Sequence, residues 1–291
     1  MIDGPDFMII GAMKSATSTL HEQLAATPGF FMSRPKEPNF FSDDSQWSRG
    51  LDWYAGLFAA APPGALRGES STHYTKLPTH LHTLDRLAAS VRTRRFVYVM
   101  RHPVERLVSH YIHEWTQGVY RESIDEAFAM RPELVDYGCY ARQLAPWLER
   151  FGARAVLPVF FERLTAAPEN EFARITRFLG HVQPVSWPAQ LAAQNVSRER
   201  LRKSALRDAI VASPLLTALR RKLVPRALRD RIKARWQMRE RPALSDKARA
   251  EAERRFDADL ATLGAWLGVD ICCANFASVA AQRALEWRAA P

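Results

Sequence analysis

A single lysine lies among small and hydroxyl-bearing residues in the segment IGAMKSATSTL, which covers residues 10–20 and joins an apolar run to a helical pattern. Free backbone N–H groups at a helix start attract an anion, and small side chains let a phosphate approach them. Lys14 would add a positive charge. The residues that would supply amides or hydroxyls are Ser15, Ala16, Thr17, Ser18 and Thr19. The segment predicts a phosphate site, although an N-capped helix with an incidental lysine has the same pattern.

This loop lacks the pattern of nucleoside-triphosphate P-loops, which require a glycine directly before the lysine and another six residues before it. Met13 and Met8 occupy those two places. A magnesium-binding acid is also missing after the apolar run at 96–100, where Arg101 follows instead. We therefore expect a phosphate-bearing ligand bound without metal. A P-loop small-molecule kinase is the alternative enzyme.

A second anion-binding pair is predicted at Arg101 and Ser109, which lies about two helical turns further on if Pro103 starts a helix. A guanidinium recognises phosphate through two parallel hydrogen bonds, and a hydroxyl can complete such a site. The alternative is a surface ion pair between Arg101 and Glu105.

The elements that position these residues follow from apolar runs and helical spacing. Helical patterns follow three of the runs, at 20–26, from 103 onward and at 169–179. This alternation predicts an α/β fold, with a central parallel sheet flanked by helices and a P-loop-like phosphate-binding loop. The predicted strands are 7–10, 30–32, 67–70, 96–100 and 155–160.

The C-terminal part is predicted to be helical and basic, with helices over 199–240 and 245–267. We expect one domain over 1–291, formed by a core at about 5–190 and a helical cap at about 191–291. The chain has a net charge of +10, and the segment from Arg198 to Arg241, with 15 Lys or Arg against four acids, carries 15 − 4 = +11, so the remaining chain is close to neutral. Such a face could bind an anionic acceptor or an acidic membrane surface, or simply be solvated. No nucleic-acid partner is expected, and the oligomeric state is left open.

The three cysteines match neither a disulfide framework nor a zinc site, which points to a reducing compartment. The N-terminus carries Asp3 and Asp6 before a short apolar run and lacks the features of a signal peptide. No stretch approaches the roughly 20 apolar residues of a membrane span. We expect a cytoplasmic protein.

Several segments, in order, resemble the motifs of sulfotransferases that use 3'-phosphoadenosine-5'-phosphosulfate (PAPS), especially the branch with the heparan sulfate enzymes and their bacterial relatives. The loop at 10–20 is similar to the 5'-phosphosulfate loop of that family. The other matching segments, which extend the resemblance over about residues 7–180, are KEPNFF (36–41), GLDWY (50–54), GESSTHY (68–74), FVYVMRHPVERLVSHY (96–111) and YARQLAPWLERF (140–151).

The resemblance implies transfer of a sulfuryl group to a hydroxyl or amine of an acceptor, a carbohydrate or another small metabolite. Lys14 and its loop would hold the phosphosulfate and stabilise the leaving PAP, the nucleotide product. Arg101 and Ser109 would hold the 3'-phosphate, and Glu37 would be the general base. The family closes the nucleotide with a late basic loop, whose best positional candidates are Arg198 and Arg200.

On the acceptor side, the resemblance makes Lys36, Ser70 and His73 candidate substrate contacts. Two residues depart from the family pattern, because Ala16 replaces the usual glycine and Ser70 stands where many glycan enzymes carry a lysine. Glu37 could instead be a loop residue paired with Lys36. The alternative bases are three histidines near the motifs, His73, His102 and His110. A non-enzymatic module that binds polyanions is the other alternative function.

Overall fold

The computed structural model describes residues 2–188 and 240–289, and the structural statements below concern that part of the chain. Five parallel strands form one sheet in the order β2-β3-β1-β4-β5. Their bounds are β1 Phe7–Gly11, β2 Phe30–Met32, β3 Leu66–Ser70, β4 Phe96–Met100 and β5 Val156–Phe160. Every residue of β1, β4 and β5 is buried, which explains their continuous apolar character.

Helices cover both faces of this sheet. Their bounds are α1 Thr17–Ala25, α2 Asp44–Trp47, α3 Leu51–Gly56, α4 Thr83–Ser90, α5 Pro103–Gln117, α6 Ile124–Met130, α7 Glu133–Asp136, α8 Tyr140–Phe151, α9 Phe161–Ala166, α10 Pro168–Leu179, α11 Asp246–Leu267 and α12 Phe276–Gln282. Short 3₁₀ helices lie at Thr72–Thr75 and Ala153–Ala155.

Alternate residues of the central strands point into two cores, as the period of a strand requires. Helices α1 and α10 cover one face, with a core that includes Phe7, Ile9, Leu20, Leu24, Phe172 and Ile175. Helices α5, α8 and α11 cover the other, with a core that includes Met8, Ile10, Tyr98, Leu107, Leu144 and Leu260. Because the strands are parallel, their carboxyl ends meet at one edge, where ligands bind in open α/β sheets.

The predicted α/β class with a central parallel sheet is confirmed. Strands β2 and β4 have the predicted bounds, and the other three differ by one residue at one end. Helix α11 was predicted at 245–267 and shares the core of the sheet through Phe256 and Leu260. The predicted helices over 199–240 lie outside the described residues, apart from position 240. None of the described helices is long and apolar enough to cross a membrane.

Candidate active site

A cleft of about 880 Å³ opens at the carboxyl edge of the sheet. Within five residues of its end, each of the five strands is followed by a residue that lines the cleft. These residues are Lys14, Glu37, Thr72, Arg101 and Phe161, after β1 to β5 respectively. The parallel sheet thus gathers cationic, acidic and hydroxyl side chains from distant parts of the sequence in one place.

The phosphate loop predicted at 10–20 forms one end of the cleft. Its backbone turns sharply, with left-handed φ values of 68° at Lys14 and 66° at Ala16. The Ala12 amide donates to the Val99 carbonyl of β4 at 2.7 Å, which ties the loop to the neighbouring strand. The residues of the loop that line the cleft are Met13, Lys14, Ala16, Thr17, Ser18 and Thr19. The start of α1 therefore opens onto the cleft, as an anion site requires.

Ser15, also predicted as a ligand contact, belongs to the loop but does not line the cleft. Its side chain is fully buried and is not part of the cleft wall. Its amide donates to the Ala12 carbonyl at 3.2 Å, so that N–H group is already satisfied. The structure therefore places Ser15 in the support of the loop.

The left-handed backbone at Ala16 predicts that Ala16→Gly stabilises the chain. A residue with a Cβ costs about 1–2 kcal/mol in this conformation, and the greater freedom of glycine in the unfolded chain offsets part of that. We expect the free energy of unfolding to rise by about 0.5–1 kcal/mol in urea denaturation. The control Ala173→Gly, inside α10, should lower it by about 1 kcal/mol. An unfolding free energy that falls in Ala16→Gly would contradict this prediction.

Arg101 lies beside the phosphate loop. Its Nη1 donates to the Lys14 carbonyl at 3.4 Å, and its guanidinium lies 4.8 Å from the ring centroid of Phe161. Ser109, on α5, is buried except where it lines the same cleft. Both residues predicted as a phosphate pair thus line one cavity. The predicted alternative partner is also close, since Glu105 Oε2 lies 3.7 Å from Arg101 Nη2.

Arg241 contacts the same Glu105 carboxylate as Arg101. Arg241 Nη2 donates to Glu105 Oε2 at 2.7 Å, and Arg241 and Glu240 line the cleft. The chain therefore returns to the cleft at the end of its basic stretch. The nucleotide contacts predicted at Arg198 and Arg200 lie outside the described residues.

Glu37 lines the cleft, and hydrogen bonds to both of its carboxylate oxygens hold it in place. Its Oε2 accepts hydrogen bonds from the Thr72 amide at 2.8 Å and the Thr72 hydroxyl at 3.2 Å. Its Oε1 accepts from Lys36 Nζ at 2.5 Å. The predicted alternative, a pair with Lys36, is therefore present, but the pair is part of the cleft wall.

Opposing influences set the pKa of Glu37. Burial raises the pKa, whereas the charge of Lys36, the hydrogen bonds from Lys36 and Thr72, and the charge of Lys76 lower it. The lowering influences are larger together, so the pKa of Glu37 lies below its usual value. The carboxylate is ionised at neutral pH, as a group that accepts a proton must be.

A buried acid supports the backbone that carries Glu37. The hydroxyls of Tyr54 and Ser71 both donate to the Glu69 carboxylate, the second at 2.6 Å. The Ser71 hydroxyl also accepts from the Asn39 amide at 3.0 Å. Burial raises the pKa of Glu69. This network joins the end of β3 to the loop that positions Glu37.

Ser70, a predicted substrate contact, does not line the cleft. Its side chain is fully buried, and its hydroxyl shares a hydrogen bond of 2.8 Å with His21 Nδ1. Its carbonyl accepts from the Glu37 amide at 2.9 Å. Ser70 therefore lies behind the site and positions Glu37 through the backbone.

Of the three histidines weighed as bases, only His73 lines the cleft. Burial lowers its pKa to about 4, and its ring stacks on His80 with centroids 4.8 Å apart. His102 Nε2 lies 2.9 Å from the Cys273 carbonyl oxygen. His110 is buried, and its Nε2 lies 3.6 Å from Glu114 Oε1. These two belong to the packing of α5.

Five cleft residues that the sequence patterns did not identify are Lys76, His113, Glu114, Trp187 and Arg241. Lys76 follows the segment 68–74 by two residues, so its proximity to a motif was the available signal. His113 lies one helical turn beyond Ser109 on α5, with Glu114 beside it, so helical spacing was the signal there. Trp187 and Arg241 are brought in only by the folded chain. No group of three or more potential metal ligands occurs among the described residues.

The family model of the sulfotransferase domain matches residues 4–210. Mouse heparan sulfate glucosamine 3-O-sulfotransferase 3B1 is 30% identical over 188 residues, which are 60% of this chain and 46% of the relative. Human heparan sulfate glucosamine 3-O-sulfotransferase 3A1 is 29% identical over 188 residues, which are 60% of this chain and 44% of the relative. The match thus spans a little under half the length of these relatives.

Solved structures share the fold. A sulfotransferase from Alicyclobacillus acidocaldarius superposes with a TM-score of 0.66 and 21% identity, covering 93% of this chain and 98% of the other. Mouse sulfotransferase SULT7A1 complexed with PAP superposes with a TM-score of 0.52 and 16% identity, covering 89% and 85%.

Proposed function

The chain belongs to the sulfotransferase family, and from that premise and the geometry of the cleft we propose that it transfers a sulfuryl group from PAPS to an acceptor. The observation that carries the proposal is the meeting of Lys14, Arg101 and the ionised Glu37 in one cleft. The named activity of the matching relatives supports a hydroxyl of a carbohydrate as the acceptor group. An amine, or a hydroxyl of another small metabolite, is the second choice.

PAPS carries phosphate at two ends, and the cleft offers a binding group for each. Lys14 and the amides at the start of α1 would hold the 5'-phosphosulfate. Arg101 and Ser109 would hold the 3'-phosphate. The 3.4 Å contact between Arg101 and the Lys14 carbonyl joins the two halves of this site.

The reaction requires placement, removal of one proton and stabilisation of the leaving group. The acceptor oxygen forms a bond to sulfur while the bond between sulfur and the phosphate oxygen breaks. The proton of the acceptor passes to Glu37, and the electron pair of the broken bond leaves on PAP. Lys14 would stabilise the charge that develops on that phosphate.

We extend the proposal to the surroundings of the cleft. The cations Lys14, Lys36 and Arg101 supply the positive charge that a metal would otherwise bring, so no metal is required. The basic stretch at 198–241 would attract an anionic acceptor or an acidic membrane surface towards the cleft mouth, where Arg241 lies. Nucleic acid is not a proposed partner.

Turnover with PAPS tests this function. The chain would be incubated with PAPS and a mixture of mono- and oligosaccharides, and sulfated products would be detected by mass spectrometry. We expect products that require both PAPS and an acceptor, at rates that EDTA leaves unchanged. Phosphorylated products formed from Mg·ATP, with PAPS left intact, would overturn the proposal in favour of a kinase.

A further inference from the structure

Lys76 is a buried cation in the wall of the cleft. The residue is 9% exposed and lines the same cavity as Glu37. Among residues 2–188 and 240–289, no carboxylate lies within 4 Å of its ammonium group. The one close partner recorded there is the ring of Tyr137, whose centroid lies 5.6 Å from Nζ. Burying an ammonium without a carboxylate partner destabilises a chain, so a role in binding is the simplest account of it.

The backbone around Lys76 is held firmly. Before it, the Thr75 hydroxyl donates to the Ile10 carbonyl of β1 at 2.6 Å. After it, Gln143 binds both backbone groups of Leu77, at 2.8 Å to the amide and 2.9 Å to the carbonyl. A cation on such a fixed base is already in place before any ligand arrives, which lowers the entropy lost on binding.

The surrounding charges leave this wall positive. Burial lowers the pKa of Lys76 to about 8, and the group stays mostly protonated at neutral pH. Arg106, fully buried behind it, contacts the Leu134 carbonyl and His110 Nδ1, and no described carboxylate pairs with it. The acids whose charge acts on Lys76 are Glu37, which is paired with Lys36, and Glu114, whose Oε1 lies 3.6 Å from His110 Nε2. Three cations, Lys36, Lys76 and Arg106, therefore stand against two carboxylates.

We propose that Lys76 forms a subsite for an anionic substituent of the acceptor, a carboxylate or a sulfate ester carried beside the hydroxyl that is sulfated. The subsite lines the same cleft as Glu37, whose charge acts on Lys76. The inference rests on the proposed function, because it assigns that part of the cleft to the acceptor. Lys76 would select acidic acceptors over neutral ones of the same shape.

Binding of a matched pair tests the subsite. The probes are 4-nitrophenyl β-D-glucuronide and 4-nitrophenyl β-D-glucoside, titrated by calorimetry into protein saturated with PAP. We expect the glucuronide to bind about tenfold more tightly than the glucoside. Lys76→Met should remove that difference by weakening the glucuronide alone, and Lys76→Arg should retain part of it. Lys247→Met, an exposed lysine on α11, should behave as wild type.

The outcomes separate this inference from the proposed function. If PAP itself does not bind, the proposed function fails. If PAP binds and the two probes bind equally, or neither binds, the subsite is wrong and the function stands. Equal weakening of both probes in Lys76→Met would show instead that the residue only supports the fold or the charge of Glu37. The PAP affinity and melting temperature of each variant report whether it folds.

Discussion

Replacing Glu37 by glutamine is expected to lower kcat by about 10²–10⁴-fold. The amide keeps the shape of the side chain and can still accept from the Thr72 amide, but it cannot take the proton of the acceptor. PAP affinity should stay within about threefold of wild type, because the nucleotide contacts lie at Lys14 and Arg101. Initial rates at saturating PAPS, together with PAP calorimetry, measure both effects.

Two variants complete this experiment. Glu251→Gln, a surface residue of α11 paired with Arg254, should leave kcat unchanged. His73→Asn removes the competing base that lines the cleft. Full activity in Glu37→Gln, with a large loss in His73→Asn, would transfer the base assignment to His73.

The acid side of the pH profile follows from the environment of Glu37. Since the group must be ionised to work, kcat should fall only as the pH drops below its pKa, which lies under the usual value for glutamate. Lys36→Met removes a charge that lowers this pKa, so the fall should move to higher pH. An acid limb that stays in place would contradict the role of Lys36. His73, with a pKa of about 4, would give a limb in the same range, so the profile supplements the substitutions.

Replacing Arg101 by alanine should weaken PAP binding by roughly 10–100-fold, because charge-assisted hydrogen bonds contribute about 1.5–3 kcal/mol. Arg101→Lys should recover only part of the loss, since an ammonium lacks the planar fork of a guanidinium. Calorimetry with PAP in the absence of metal measures the dissociation constants.

The control for Arg101 is Arg142→Ala. Arg142 is half-exposed on α8 and pairs with Asp136 at 2.9 Å, outside the cleft wall. We expect it to bind PAP as wild type does. Wild-type affinity in Arg101→Ala would remove this residue from the nucleotide site and leave its contact with Glu105 as a surface ion pair.

The parts of the site that follow strand ends were accessible to sequence reasoning. Lys14, Glu37 and Arg101 each follow an apolar run that is a strand, and a parallel sheet brings such positions to one edge. The apolar pattern predicts the strand before each of these residues, and the parallel topology predicts that they meet at one edge of the sheet. The resemblance to known motifs added the expected roles.

The sequence did not predict which side chains near the strand ends face the cleft. Ser70 ends β3 and Ser15 lies inside the phosphate loop, yet both side chains turn into the protein. Whether a residue at a strand end faces the cleft depends on the pleat and on the neighbour that packs against it, as His21 does against Ser70. A motif position alone does not contain that information.

Sequence reasoning also missed cleft residues that come from outside the matched motifs. Lys76 reaches the cleft because a 3₁₀ turn at Thr72–Thr75 redirects the chain after β3. Arg241 arrives from a segment 136 residues beyond its partner Glu105. The basic composition of the region before Arg241 predicted a charged face, but composition does not specify which residue enters the site.

Calorimetry of the wild-type chain with PAP and with ATP tests the central claim most directly. We predict saturable binding of PAP in EDTA, and no comparable binding of ATP with or without Mg²⁺. Clear binding of Mg·ATP without binding of PAP would contradict the account and favour a kinase. Failure to bind either nucleotide, with polyanion binding that falls steeply as salt increases, would favour a non-enzymatic module.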